Sequence, residues 1–192
     1  MLKANSLSLS LGGRQILKDV SLILPNHGVT AVMGRSGIGK TTLLRVLAGL
    51  IKPDDGNIES TFERISVKFQ DPRLFEWLTV LENVTAVLDG KDKNADRQVA
   101  RQWLEAVGLQ EDMDKYPPEL SGGMAQRASL ARALAYGGDL LLLDEPFSAV
   151  DDGTKDTLLS LIAEYAKMHA VLLVTHTQEE AEALNATIYQ LG

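Results

Sequence analysis

The sequence predicts an α/β fold built on a parallel sheet, and three observations carry the prediction. Two short runs, Leu140-Leu141-Leu142-Leu143 and Val171-Leu172-Leu173-Val174, are apolar at every position. Such runs suit strands covered on both faces, as parallel strands are. Between them, Thr154 to Met168 has helical spacing, with Leu158, Leu161, Ile162 and Tyr165 on one face. Earlier, the β-rich run Val29-Thr30-Ala31-Val32-Met33 passes through a glycine-rich stretch into a helical pattern over Thr42–Ala48, with Gly49 near its end. Strands alternating with helices give this class.

In chain order, residues 1 to 33 read as strands. Leu7, Leu9 and Leu11 alternate with Ser8 and Ser10, the pattern of a half-buried strand. Gly12-Gly13 makes a turn, and Val20 to Leu24 forms a second strand stopped at Pro25. Asn26-His27-Gly28 turns into the strand that feeds the glycine loop, and His27 there is a turn residue. Pro53-Asp54-Asp55-Gly56 is a turn, Asn57-Ile58-Glu59 a short strand, and Ile65 to Phe69 a core strand ending at Gln70. From Thr79 to about Gly137 the pattern is helical. Val80, Val84, Val87 and Leu88 make one apolar face; Val99, Trp103, Leu104 and Val107 make another, closed by Gly108. The charged stretch Asp89-Gly90-Lys91-Asp92-Lys93-Asn94 between them reads as a solvated loop.

Composition sets bounds. The 192 residues suffice for one domain with a sizeable core and a small appended subdomain. Apolar residues make up 45% and charged residues 23%, which is ordinary for a globular chain. There is no cysteine, so disulfides and thiolate metal sites are excluded, as a reducing cytosol would allow. The net charge of -7 argues against a nucleic-acid partner. No stretch has the unbroken apolar length of a membrane span, and Met1 to Leu7 lacks the pattern of a signal peptide. Any membrane role is therefore expected to be peripheral.

The glycine-rich stretch, Gly34-Arg35-Ser36-Gly37-Ile38-Gly39-Lys40-Thr41-Thr42, fits G-x-x-x-x-G-K-S/T. Phosphates need donors at close range. Glycines let backbone N–H groups turn toward the phosphate oxygens, and the following helix aims its positive end at the same place. Lys40 supplies a mobile cation, and the Thr41 hydroxyl can ligate Mg²⁺. At the end of the leucine run, Asp144 can hold Mg²⁺, while Glu145 points elsewhere and can polarise an attacking water. Gly34, Gln70, Asp144 and His176 each follow an apolar run. Ligands of parallel sheets bind at the carboxyl ends of the strands, so these four are expected to converge. A second glycine-rich stretch, Leu120-Ser121-Gly122-Gly123-Met124-Ala125-Gln126-Arg127, opens another helix, with Ser121 as its cap.

Taken together, these motifs resemble those of ATP-binding cassette (ABC) ATPases over nearly the whole chain. Gly34–Thr42 resembles the Walker A loop, Leu140–Glu145 the Walker B strand, and Leu120–Gln126 the signature motif. Gln70 resembles the Q-loop glutamine, Ser148-Ala149-Val150-Asp151 the D-loop, and His176 the switch histidine. The resemblance implies a P-loop NTPase (RecA-like) core with an N-terminal antiparallel β-subdomain and an inserted α-helical subdomain. Residues 1–74 and 138–192 would form the β-subdomain and core, and 75–137 the helical subdomain, within one domain spanning 1–192.

It also implies a mechanism. The ligands would be ATP and Mg²⁺, the metal held by Thr41, Gln70 and Asp144. Two copies would associate head-to-tail, so that Ser121, Gly122 and Gly123 of one meet the γ-phosphate on the other's Walker A loop. Gln126 would join them as a nucleotide contact of the same motif. Glu145 would be the general base. Gln70 would sense Mg²⁺ and the γ-phosphate, His176 would stabilise the transition state, and Asp151 would link the two sites.

Phe69 to Val84 resembles the Q-loop region of importer ATPases, especially those for nitrate, sulfonate, taurine and thiamine precursors. Phe75, Trp77 and Leu78 would there form a groove for a membrane permease. Glu76 stands where those importers often carry proline, and Leu11 where the family places an adenine-stacking aromatic. Leu11 predicts weaker adenine binding. The end of the chain at Leu191-Gly192 leaves little room for a ligand-sensing domain. The expected function is the ATPase subunit of an ABC importer, with a separate permease and a solute-binding protein, peripheral on the cytoplasmic face of the inner membrane. The alternatives are an exporter, a lipid- or lipoprotein-extracting system, or a soluble ABC ATPase. The last fits poorly, since too few residues separate Lys40 from Ser121 for a coiled coil.

Overall fold

The computed structural model describes all 192 residues except Asp89 and Lys91. The chain opens with β1 (Leu2–Leu11) and β2 (Arg14–Leu24), an antiparallel hairpin around Gly12-Gly13. Then come β3 (Gly28–Met33), α1 (Lys40–Leu47) and β4 (Asp55–Ser60). β4 returns to the free side of β1, giving an antiparallel sheet of order β2-β1-β4. The second sheet holds β3, β5 (Ile65–Lys68), β6 (Leu140–Asp144), β7 (Ala170–Val174) and β8 (Thr187–Gln190). Its order is β5-β6-β7-β3-β8, and every pairing in it is parallel. Between β5 and β6 lie α2 (Val80–Thr85), α3 (Lys93–Ala106) and α4 (Gly122–Tyr136). α5 (Asp152–Ala166) and α6 (Gln178–Ala183) flank β7.

The leucine run explains the layering. Leu140 and Leu142 face the inner side of the antiparallel sheet together with Leu43, Leu44 and Leu47 of α1. Leu141 and Leu143 face the opposite cluster, with α2, α3, α4 and α5. All four leucines are fully buried, as strands covered on both faces require.

Several local expectations change in detail. β1 extends back to Leu2, because a register shift between Ala4 and Leu7, with Ser6 at φ 50°, returns Leu2 and Ala4 to the buried face. β2 begins at Arg14 rather than Val20, since a second shift around Lys18-Asp19, with Asp19 at φ 48°, interrupts its alternation. A third shift, between Leu9 and Ser10, turns Leu11 outward to 45% exposure, against the buried position its spacing suggested. Val99 is exposed; the buried face of α3 is Ala100 and Leu104, followed by Val107. The charged stretch at 89–94 lies partly outside the described residues, at Asp89 and Lys91. Its far end is already helical, with Asp92 capping α3 through the N–H groups of Asn94 and Ala95.

Candidate functional site

The site grows at the carboxyl edge of the parallel sheet. β3 runs into Gly34, β5 into Phe69-Gln70, β6 ends on Asp144, and β7 runs into Thr175-His176. Gly39, the N-cap of α1, has a φ of 113°, which L side chains rarely adopt. A Cβ there would lie 3.0 Å from Ile16 Cγ2 and from the Ile16 carbonyl, so glycine also lets β2 close against the loop. α1 carries no acidic residue in its first turn, and its N-terminal amides keep their positive end for an anion. Lys40 arches over the loop, donating to the carbonyls of Gly34 (2.9 Å) and Arg35 (3.2 Å). The ammonium is thus held over the mouth of the loop.

Thr41 Oγ1 donates to Asp144 Oδ1 at 3.1 Å. Asp144 is 1% exposed, and burial raises its carboxyl pKa against the opposing Thr41 bond. Its Oδ2 is buried and has no hydrogen-bond partner among the described residues. An orphaned carboxylate oxygen beside a hydroxyl fits a hard divalent cation. No group of three His, Cys, Asp or Glu among the described residues is placed to hold a metal on its own. Mg²⁺ needs none, because it shares its shell with phosphate oxygens and water.

Glu145 has a φ of 43°, unusual for a residue with a side chain. Its N–H donates to the Val174 carbonyl at 3.0 Å, which fixes the kink against β7. The kink turns the carboxylate away from Asp144. Glu145 Oε2 accepts from Gln70 Nε2 at 3.1 Å, and Oε1 lies 3.5 Å from His176 Nδ1. Residues from β5, β6 and β7 therefore meet at one partly exposed carboxylate.

The other candidates make contacts of their own. Ser121 Oγ caps α4 by accepting from Met124 N–H at 3.3 Å. Gly122 and Gly123 pack beside Ala149. Asp151 caps α5, accepting from Thr154 N–H at 3.0 Å, and this bond lowers its pKa. Gln126 is buried and committed to its own chain. Its Nε2 donates to the Gln70 carbonyl (2.8 Å) and to Ser148 Oγ (3.2 Å) within its own chain. Leu11 sits at the outer end of the hairpin.

The family model for the ABC transporter matches residues 17–148, most of the chain and both glycine-rich stretches. The chain belongs to the ABC transporter family. Aliphatic sulfonates import ATP-binding protein SsuB 1 of Pseudomonas savastanoi is 40% identical over 185 residues, covering 95% of this chain and 77% of that protein. Aliphatic sulfonates import ATP-binding protein SsuB of Granulibacter bethesdensis is 48% identical over 172 residues, covering 88% and 71%. The dimeric structure of a bacterial ABC transporter cassette superposes with a TM-score of 0.91 at 27% identity, covering 100% of this chain and 94% of that one. A post-hydrolysis dimer of that cassette, bound to ADP and Pi, superposes equally well at 28% identity. The antiparallel sheet beside a parallel core agrees with the P-loop NTPase fold.

This ABC cassette holds further residues around its site that the sequence did not single out. Arg132 of α4 donates to the carbonyls of Pro72 and Arg73, both at 2.9 Å, so with Gln126 it fastens the Q-loop to the signature helix. Asn83, fully buried on α2, accepts from Phe75 N–H and donates to the carbonyls of Phe75, Leu78 and Thr79. It freezes the loop that carries Phe75 and Trp77. Nothing in sequence spacing separates these polar residues from solvated ones.

Lys68 lies one position before Phe69 and is 1% exposed, its Nζ 3.5 Å from the Glu145 carbonyl. Burial pushes its pKa down to about 8, outweighing the attraction of Asp144, Glu145 and Asp71. The cost of the buried charge is therefore fully present below about pH 8 and is relieved as pH rises toward the ordinary lysine value of about 10.4. Lys68→Met is expected to raise unfolding stability at pH 7 by roughly 1–3 kcal/mol, an advantage that shrinks toward pH 10. Urea unfolding of both proteins across that range checks it; an advantage independent of pH would contradict it.

Proposed function

We propose that this importer-type ABC ATPase binds ATP on Gly34–Thr42, closes head-to-tail on a second copy, and drives a separate permease. The observation that carries the reading is the meeting of Gln70, Glu145 and His176 at one carboxylate, beside the Thr41–Asp144 pair. Lys40 leaves the loop carbonyls for the terminal phosphates. Glu145 takes the proton of the attacking water, and His176, 3.5 Å away, steadies the charge that develops opposite it. Thr41 and Asp144, with Gln70 nearby, would hold Mg²⁺, which supplies positive charge to the β- and γ-phosphate oxygens. The lid over the phosphates is Ser121 to Gly123 of the second copy, and Asp151 reaches across the interface. The helices within 75–137 form the subdomain that carries the lid.

Phe75 and Trp77 support a docking role. Their rings lie 5.3 Å apart and are 42% and 73% exposed, on a loop braced by Asn83. Such an aromatic pair on a rigid loop suits the apolar face of a permease helix. No helix among the described residues is long and apolar enough to cross a membrane. On this reading the chain is a peripheral subunit on the cytoplasmic face of the inner membrane, working with a separate permease and a solute-binding protein. The relatives are import subunits, which favours uptake over the exporter reading, and their names make aliphatic sulfonates the first solutes to try. Copurification from membranes tests the docking. The permease should be retained by the parent protein and lost, by about two orders of magnitude in affinity, from the Phe75→Ala/Trp77→Ala variant. Equal retention by both would count against this surface.

A further inference from the structure

His176 owes its position to its backbone. Its side chain is 71% exposed, and the 3.5 Å approach to Glu145 is too long to hold a ring in place. Its neighbours, by contrast, are tied to one buried group. Thr175, 1% exposed, donates its N–H to the Val32 carbonyl (3.3 Å) and its hydroxyl to Glu180 Oε2. The same hydroxyl accepts the N–H of Thr177 at 3.1 Å. The backbone on both sides of His176 is thereby pinned to a single side chain. Glu180, 6% exposed on α6, uses its other oxygen to meet Lys155 Nζ at 2.7 Å. Lys155 lies on α5, where its N–H donates to the Asp151 carbonyl at 2.8 Å, and its ammonium stands 5.9 Å from the Phe147 ring.

The route runs from Asp151 through the first turn of α5 to Lys155, then through the Glu180 carboxylate to Thr175 and His176. A buried carboxylate that bridges two elements loses its balance when either partner is removed. The arrangement therefore acts as a clamp whose ends are the residue that meets the partner copy and the residue that faces the γ-phosphate.

We propose that Glu180, held by Lys155, is a positioning residue for hydrolysis, fixing His176 and tying it to the D-loop helix; this rests on the role given to His176 above. The test is steady-state ATPase kinetics with nucleotide-binding titration of Glu180→Gln, Lys155→Met and Lys155→Arg, beside His176→Ala. Glu180→Gln and Lys155→Met should lower kcat roughly ten- to a hundredfold, with ATP affinity within about twofold of the parent. Lys155→Arg, which keeps the charge, should recover most of the rate. Lys155 is partly exposed, so its methionine variant reports on the clamp even if Glu180→Gln folds poorly. A normal kcat in folded Lys155→Met, or an affinity loss equal to the rate loss, would overturn the clamp. A normal kcat in His176→Ala would overturn the underlying reading instead.

Discussion

Glu145→Gln lowers the rate of ATP hydrolysis by about 10²–10⁴-fold and leaves ATP binding intact. The substitution preserves shape and lets the Gln70 bond, 3.1 Å in the parent, re-form to an amide oxygen. What disappears is the charge proposed to accept the water's proton. The kink at Glu145, with φ at 43°, is held by the bond to Val174, so the replaced side chain still points at the same place. Single-turnover hydrolysis beside equilibrium ATP titration separates the two effects. Wild-type turnover by the variant would remove Glu145 from the mechanism, while loss of binding with turnover would show that the carboxylate only shapes the site.

Gly123→Val abolishes turnover, by roughly 10²–10³-fold, without changing the ATP affinity of a single copy by more than about twofold. Gly123 lies in the first turn of α4, where a Cβ would stand 2.6 Å from the Ala149 carbonyl. That oxygen is backbone, and Ala149 is itself constrained at φ 63°, so neither side can yield cheaply. The side chain must push the start of α4 away from the Ser148–Asp151 turn. Both segments are proposed to face the second copy, so the damage falls on the assembled site. The Thr41–Asp144 pair is made by other elements and should be undisturbed. A variant that loses ATP affinity as a dilute monomer would show that Gly123 supports the fold instead.

The carboxyl edge of the parallel sheet was legible because its residues sit at strand ends, where an apolar run announces its own stop. Asp144 follows four leucines, and His176 follows Val171–Val174 by one residue. The antiparallel sheet was less legible. Its alternation is broken by three register shifts; two reverse which side chains face inward, and the third leaves Leu11 exposed. α6 and β8 are too short for a periodic signal, six and four residues. The supporting polar residues were invisible for a different reason. Glu180, Lys68, Asn83 and Arg132 have ordinary surface composition, and only the tertiary structure buries them or aims them at carbonyls. The bond from Gln126 to the Gln70 carbonyl was equally invisible, because it depends on α4 turning that face toward the loop after β5.

On the proposed function, Gly34–Thr42 is half of a site whose lid belongs to another molecule. The most direct measurement is the ATPase rate of the purified parent protein against its own concentration, through the range where sedimentation shows monomer. The rate should rise more steeply than the protein concentration, with ATP binding per chain unchanged throughout. A rate strictly proportional to concentration down into the monomeric range would contradict it.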